Sequence, residues 1–99
     1  MPTNALTWHL DTAVDAAVLV GAASTVVLAA NGHRANAIFI NDSDETIYLA
    51  RGHAAVLNDG IRLNANGGSY EMDVDNMFRG IVYAICASGQ KNLCVCEAV

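Results

Sequence analysis

The sequence is poor in charge, in aromatic side chains and in proline. Charged residues make up 15% of the 99 residues, aromatic residues make up 6%, and there is one proline. Hydrophobic residues reach 54%, mostly as alanine and valine. This composition excludes an intrinsically disordered chain. It indicates one globular domain that is long enough to bury a core of its own.

Basic residues are scarce as well, because five Lys and Arg stand against ten Asp and Glu. A net charge of −5 argues against partners that are nucleic acids or anionic membranes. The longest apolar run, Ala13 to Ala30, carries Asp15 and a Gly21 break, so it does not predict a transmembrane helix. The N-terminus lacks the basic segment of a signal peptide. We therefore expect the three cysteines to be reduced.

Turn-forming residues cut the chain into short segments. The segments between them are β-branched or alternate between apolar and polar residues, which predicts strands. For the segment that ends at Val20, helix and strand both stay open, since Val14, Ala17 and Val18 also have helical spacing. The other predicted strands cover 24–29, 35–41, 46–50, 54–57, 61–63, 69–72, 79–87 and 93–97.

This spacing of short strands predicts an all-β fold, an antiparallel β-sandwich or a jelly-roll-like small barrel. The first ten residues are polar and contain the single proline, which indicates an extended N-terminal arm. We therefore expect an arm at residues 1–10 and a single β-sandwich domain at residues 11–99.

The three thiols, Cys86, Cys94 and Cys96, are the first candidates for chemistry. A soft metal site with His9, His33 or His53 as fourth ligand is one alternative, and a disulfide is another. A Cys-x-Cys pair within one strand is poorly arranged for a single ion, however, and free cysteine is often a small core residue. The favoured interpretation is three buried thiols and no metal.

The remaining candidates for chemistry are weak. The acidic segments 41–45 and 73–76 offer oxygen ligands but lack the spacing of a calcium loop. We interpret both segments as solvated turns. No His, Cys or Ser lies in a known nucleophile or catalytic-cysteine context. We therefore predict no catalytic residues, no cofactor and no enzymatic activity.

Apolar residues occur on both faces of two predicted strands, 35–41 and 80–87. A lone sandwich of this size does not need both faces, so we expect another chain to cover part of them. Trp8 is a candidate anchor, because tryptophan is enriched at interfaces, although it can equally pack on its own domain. The candidate interface residues are Pro2, Leu6, Trp8, Leu10, Ile81 and Tyr83.

Several segments in order resemble the small β-sandwich domains of tailed-phage virions. They are a strand that ends in Asn41-Asp-Ser43, a return strand with Tyr48, a Gly60-Ile-Arg-Leu63 segment, a Gly67-Gly-Ser69 turn and Gly80-Ile-Val-Tyr-Ala-Ile85. The resemblance covers about residues 24–97, whereas segment 11–30 departs from it. Such domains occur as capsid decoration (cement) proteins and in tails or fibres.

This resemblance implies a non-enzymatic virion protein that binds the outer capsid surface and stabilises capsomer junctions. It implies the major capsid protein and other copies of the chain, as a homotrimer, as partners. The protein would be made in the host cytoplasm and located on the virion. The alternative is a carbohydrate-binding adhesion module of a tail, collar or fibre, which would use exposed aromatics; the candidates are Trp8, Tyr48, Tyr70 and Tyr83.

Overall fold

A computed structural model describes residues 12–99, and these residues form eight strands. The strands are β1 (Ala13–Val20), β2 (Thr25–Leu28), β3 (Asn36–Asn41), β4 (Ile47–Arg51), β5 (Ile61–Leu63), β6 (Ser69–Met72), β7 (Val82–Cys86) and β8 (Lys91–Ala98). The predicted N-terminal arm, residues 1–10, and the candidate interface residues Pro2, Leu6, Trp8 and Leu10 lie outside the described residues. The described part of the chain contains no helix long and apolar enough to cross a membrane.

The strands form two four-stranded antiparallel sheets, in the orders β1-β8-β3-β6 and β2-β7-β4-β5. The first strand pairs with the eighth, the second with the seventh, the third with the sixth and the fourth with the fifth. A long hairpin ribbon that wraps around itself produces this order, which is the topology of a jelly roll. The expectation of an all-β sandwich or jelly roll is confirmed. We call the two sheets the front sheet (β1-β8-β3-β6) and the back sheet (β2-β7-β4-β5).

Alternation along each strand fills the space between the sheets. On β3, Ala37 and Phe39 are fully buried, whereas Ile38 and Ile40 are half-buried on the other side. β8 repeats the pattern, with Leu93 facing inward. Side chains of successive strand residues point to opposite faces, so each inner face supplies one half of the core. Aliphatic residues form most of this core, and Phe39, Met72 and Cys86 complete it.

The segment that ends at Val20 is a strand, so the helix alternative is wrong. Its even-numbered residues Val18 and Val20 face the core, and its partner β8 is matched residue for residue. The predicted strand at 54–57 is also wrong. That segment belongs to the long connection between β4 and β5, which crosses the outside of the back sheet.

Candidate interaction surface

The part of the back sheet's outer face around Ile85 is covered by the chain itself. Ile85 points away from the main core but is only 8% exposed, because it packs with Ala50 and Ala55 and with the rings of Tyr48 and Tyr83. Ala55 is held in place by its backbone N–H, which donates to Ser24 Oγ at 2.8 Å. The β4–β5 connection therefore covers Ile85, and the expectation that another chain covers part of the outer faces stays a prediction.

The outer face of the front sheet has no such cover among the described residues. Two rows of side chains cross it from strand to strand. One row runs from Ala17 through Cys94 to Ile40, and the other runs from Asp15 through Cys96 to Ile38. We define the outer patch as Ala17, Leu19, Ile38, Ile40, Cys94 and Cys96.

Polar residues border the outer patch on the β6 side and at its two ends. Ser69 and Glu71 lie opposite Ile40 and Ile38 on β6, while Asn92 and Asn36 lie at the two ends. Leu19 is 57% exposed. A partly exposed apolar centre inside a polar rim is the usual composition of a surface that contacts another protein.

The cysteines divide between core and surface. Cys86 is buried as expected, but Cys94 and Cys96 are half-buried on the outer patch, so the prediction of three core thiols is wrong for these two. All three are free thiols. Cys86 and Cys94 belong to different sheets, because the turn between β7 and β8 crosses from the back sheet to the front sheet.

The surroundings of two thiols keep them protonated. Two effects raise the pKa of Cys96: the larger is a hydrogen bond with Asp15, and the next is partial burial. Burial, together with the nearby negative charge of Glu45, raises the pKa of Cys86. Since the thiolate is the reactive form, neither cysteine has the electropositive surroundings of a nucleophile.

A buried arginine closes one end of the sandwich. The guanidinium of Arg34 is fully buried and donates to Glu97 Oε2 at 2.7 Å and to the carbonyl of Gly80 at 3.2 Å. It also donates to the carbonyls of Phe78 and Ala29. A buried charge needs an opposite charge and a full set of acceptors, and Arg34 has both. This Arg34 cluster joins β8 to the β2–β3 and β6–β7 connections.

A buried asparagine closes the other end. The amide nitrogen of Asn41 donates to the carbonyls of Glu45 at 2.7 Å and Leu63 at 3.0 Å, and its amide oxygen accepts from Ser43 Oγ at 2.6 Å. Its backbone groups bond to Gly67 and Gly68. This Asn41 cluster thus joins two segments of the phage resemblance, Asn-Asp-Ser and Gly-Gly-Ser, to each other. These motif residues stabilise the fold.

The acidic segments do not converge on an ion. Within residues 12–99 there is no group of three or more His, Cys, Asp or Glu that could hold a metal. The carboxylate of Glu45 instead accepts hydrogen bonds from Ser88: one from the Ser88 backbone N–H at 2.8 Å and one from the Ser88 hydroxyl. Asp44 pairs with Lys91 Nζ at 2.7 Å. These bonds tie the β3–β4 turn to the β7–β8 turn.

An open recess of about 370 Å³ lies where β4 and β5 diverge, lined in part by Arg51, His53 and Asp59. The ring nitrogen Nδ1 of His53 lies 3.0 Å from the carbonyl oxygen of Ala54, which is within hydrogen-bond distance. The lining contains no tyrosine, tryptophan or phenylalanine. A sugar would find polar contacts here but no aromatic face on which to stack.

The tyrosines that would serve a carbohydrate site are used in packing. Tyr70 stacks at a tilt on Phe39, with ring centroids 6.4 Å apart, and Tyr48 and Tyr83 pack against the small cluster on the back sheet.

The candidate interface residues Ile81 and Tyr83 are both half-buried. Their contact with a partner stays a prediction.

No family model, curated protein or solved structure matches this chain.

Proposed function

We propose that this chain is a non-enzymatic virion structural protein, a capsid decoration protein that binds the outer capsid surface through the outer patch. The observation that carries the proposal is the difference between the two outer faces of the jelly roll. The back sheet is covered by the chain's own loop around Ile85. The front sheet keeps Ile38, Ile40 and Leu19 at its surface.

The fold supports the proposal as a scaffold. Jelly rolls build viral capsid domains as well as lectins and cupins, so the fold alone does not choose among these functions. The choice comes from the surface, because an apolar, weakly charged patch suits close packing against another protein. The phage resemblance of residues 24–97 points to the same class, with the major capsid protein as the partner.

The patch predicts which substitution removes binding. Ile40→Lys places a charge at the centre of the patch, where the lysine stem can still lie along the sheet and keep the domain folded. We expect this variant to lose at least tenfold in affinity for capsids assembled from the major capsid protein of the same genome, measured by co-sedimentation.

Val56→Lys is the matched control. Val56 is an exposed valine, 57% accessible, on the loop that covers the opposite sheet. We expect it to bind as the unchanged protein does. Equal binding by the unchanged protein and by both variants would contradict the assignment of the patch. No binding by the unchanged protein would contradict the decoration function itself.

The adhesion module remains the second candidate function, and the polar recess at Arg51, His53 and Asp59 is the observation that favours it. A glycan-array screen tests it. A ligand whose binding is removed by Arg51→Ala but kept in Ile40→Lys would replace the decoration proposal.

A further inference from the structure

β1 is the most exposed edge in the described structure. The edge strands β2, β5 and β6 have four, three and four residues, whereas β1 has eight. Natural proteins protect long edges with lysine, proline, bulges or a covering segment. β1 has no proline or lysine, its pairing with β8 runs without a bulge, and Asp15 is its one charge.

The hydrogen bonds of β1 alternate between its two sides. Thr12 and Val99 exchange two bonds, from Thr12 N–H at 3.3 Å and from Val99 N–H at 2.9 Å. In an antiparallel ladder such pairs recur at every second residue. The even-numbered residues therefore bond to β8. The odd-numbered ones, which are Ala13, Asp15, Ala17 and Leu19, direct their N–H and C=O groups to the free edge.

We infer that this free edge pairs with the β1 edge of a second copy of the chain, antiparallel, around a two-fold axis that passes beside Ala16. An isologous contact must bring like surfaces together. Here the odd-numbered residues are both the outward-facing residues and those with free backbone groups. Odd-numbered residues of one copy must therefore pair with odd-numbered residues of the other. This places Ala13 opposite Leu19 of the second copy and Asp15 opposite Ala17 of the second copy.

The charge of Asp15 selects this register. Centring the pair one residue earlier would set Asp15 directly against Asp15 of the second copy, which like-charge repulsion disfavours. Centring it one residue later, on Ala17, leaves three odd–odd pairs instead of four. The register around Ala16 pairs residues 13–19 of the two copies and forms about eight backbone hydrogen bonds, two for each of four odd–odd pairs.

The same register also covers an apolar side chain that is exposed to solvent in the single chain. Val14 points to the core side of the front sheet, yet it is 60% exposed. Pairing around Ala16 places Val14 beside Val18 of the second copy, and Val18 packs against the core. The two front sheets would join into one sheet, four strands from each copy, with both outer patches on the same face.

Two measurements on the full chain test the pairing. The first is mass in solution by light scattering, where we expect twice the monomer mass of 10.4 kDa. The second is amide hydrogen exchange by NMR at low and high protein concentration. We expect protection of Ala13, Asp15, Ala17 and Leu19 to rise with concentration, while the even-numbered amides stay protected throughout.

Ala17→Pro is the diagnostic variant. It removes one N–H from the free edge without removing a bond to β8, and proline is tolerated on edge strands in this position. We expect it to weaken the dimer at least tenfold and to leave the far-ultraviolet circular dichroism of the domain unchanged. Val26→Lys, at an exposed position on β2, is expected to leave the dimer intact.

A monomer at all concentrations would overturn the inference, and so would the trimer that the phage resemblance implies. A dimer whose odd-numbered amides exchange freely, or one that Ala17→Pro leaves unchanged, would also overturn it. None of these outcomes depends on capsid binding through the outer patch, so this inference and the proposed function fail separately.

Discussion

Replacing Arg34 tests whether the buried cluster at the end of the sandwich stabilises the fold. Arg34→Ala removes a guanidinium that donates to one carboxylate and three carbonyls. Removing one partner of a buried ion pair costs about 3–5 kcal/mol. The side chain of Glu97 is 18% exposed, so water can reach the carboxylate left behind. We therefore expect a loss near 3 kcal/mol, at the lower end of that range.

Such a loss is large for a domain of this size, whose free energy of unfolding is about 5–15 kcal/mol. The assay is urea unfolding followed by far-ultraviolet circular dichroism at one low protein concentration, because self-association adds apparent stability. Arg34→Lys keeps the charge but loses the planar fork that reaches several acceptors. We expect it to lose about 1–2 kcal/mol, which gives a measurement even if the alanine variant does not fold.

Arg62→Ala is the control for this prediction, since Arg62 is exposed and makes one side-chain hydrogen bond, to Asn64. Its effect should stay within about 0.5 kcal/mol. If Arg34→Lys and Arg34→Ala changed stability no more than Arg62→Ala does, the reasoning about the Arg34 cluster would be refuted.

Three further predictions concern the packing of the turns and the thiols. Gly68→Ala should destabilise the fold by more than about 1 kcal/mol in urea unfolding, because its Cβ would lie 2.3 Å from the backbone nitrogen of Asn64, whereas Gly89→Ala meets open space and should be neutral. Hydrogen bonds from Ser88 lower the pKa of Glu45 below its usual range. The stability they provide is present above the ordinary glutamate pKa and is lost as the pH falls through the lowered value. Glu45→Gln should flatten this acid loss in unfolding measured from pH 7 to pH 3, and an unchanged slope would contradict the assignment. Iodoacetamide should modify Cys94 before the buried Cys86 in the native protein, as read by peptide mass spectrometry, and equal rates would contradict the placement of the two thiols.

The strands were largely predictable because turn residues separate them clearly. Asn31-Gly32 and Ser88 to Gln90 mark places where the chain must reverse, and strands lie on either side of each. The segment that ends at Val20 was ambiguous because alanine and valine at these spacings suit a helix as well as a strand. Pairing with β8 along its whole length decided the outcome, and such a long-range contact leaves no local signal.

The covering of the back sheet was not predictable for the same reason. The apolar side chains of residues 54–57 predict a strand, but this segment is a loop that buries Ala55 on the outside of β7 and β4. A strand with two apolar faces predicts that both faces are covered. It does not say whether the cover comes from a loop of the same chain or from a partner, because that depends on where a distant loop folds back.

The two buried polar clusters left a signal that sequence reasoning missed. Leu93, Val95 and Glu97 share the inner face of β8, so the carboxylate of Glu97 stands at a core position and requires a cation nearby. In the same way, Ala37, Phe39 and Asn41 share the inner face of β3. A polar residue at an inward position of an otherwise apolar strand predicts a buried partner. Which partner it finds follows only from the fold.

The central claim is that the outer patch contacts a capsid, and thiol footprinting of assembled particles tests it most directly. Particles produced from the same genome would be purified and treated with a thiol reagent, with the isolated chain treated in parallel. Peptide mass spectrometry would then report the labelling of Cys94 and Cys96. We predict that the chain is present in the particles at a fixed ratio to the capsid protein, with both thiols labelled in the isolated chain and protected in the particle. Absence of the chain from the particles, or equal labelling in the two states, would contradict it.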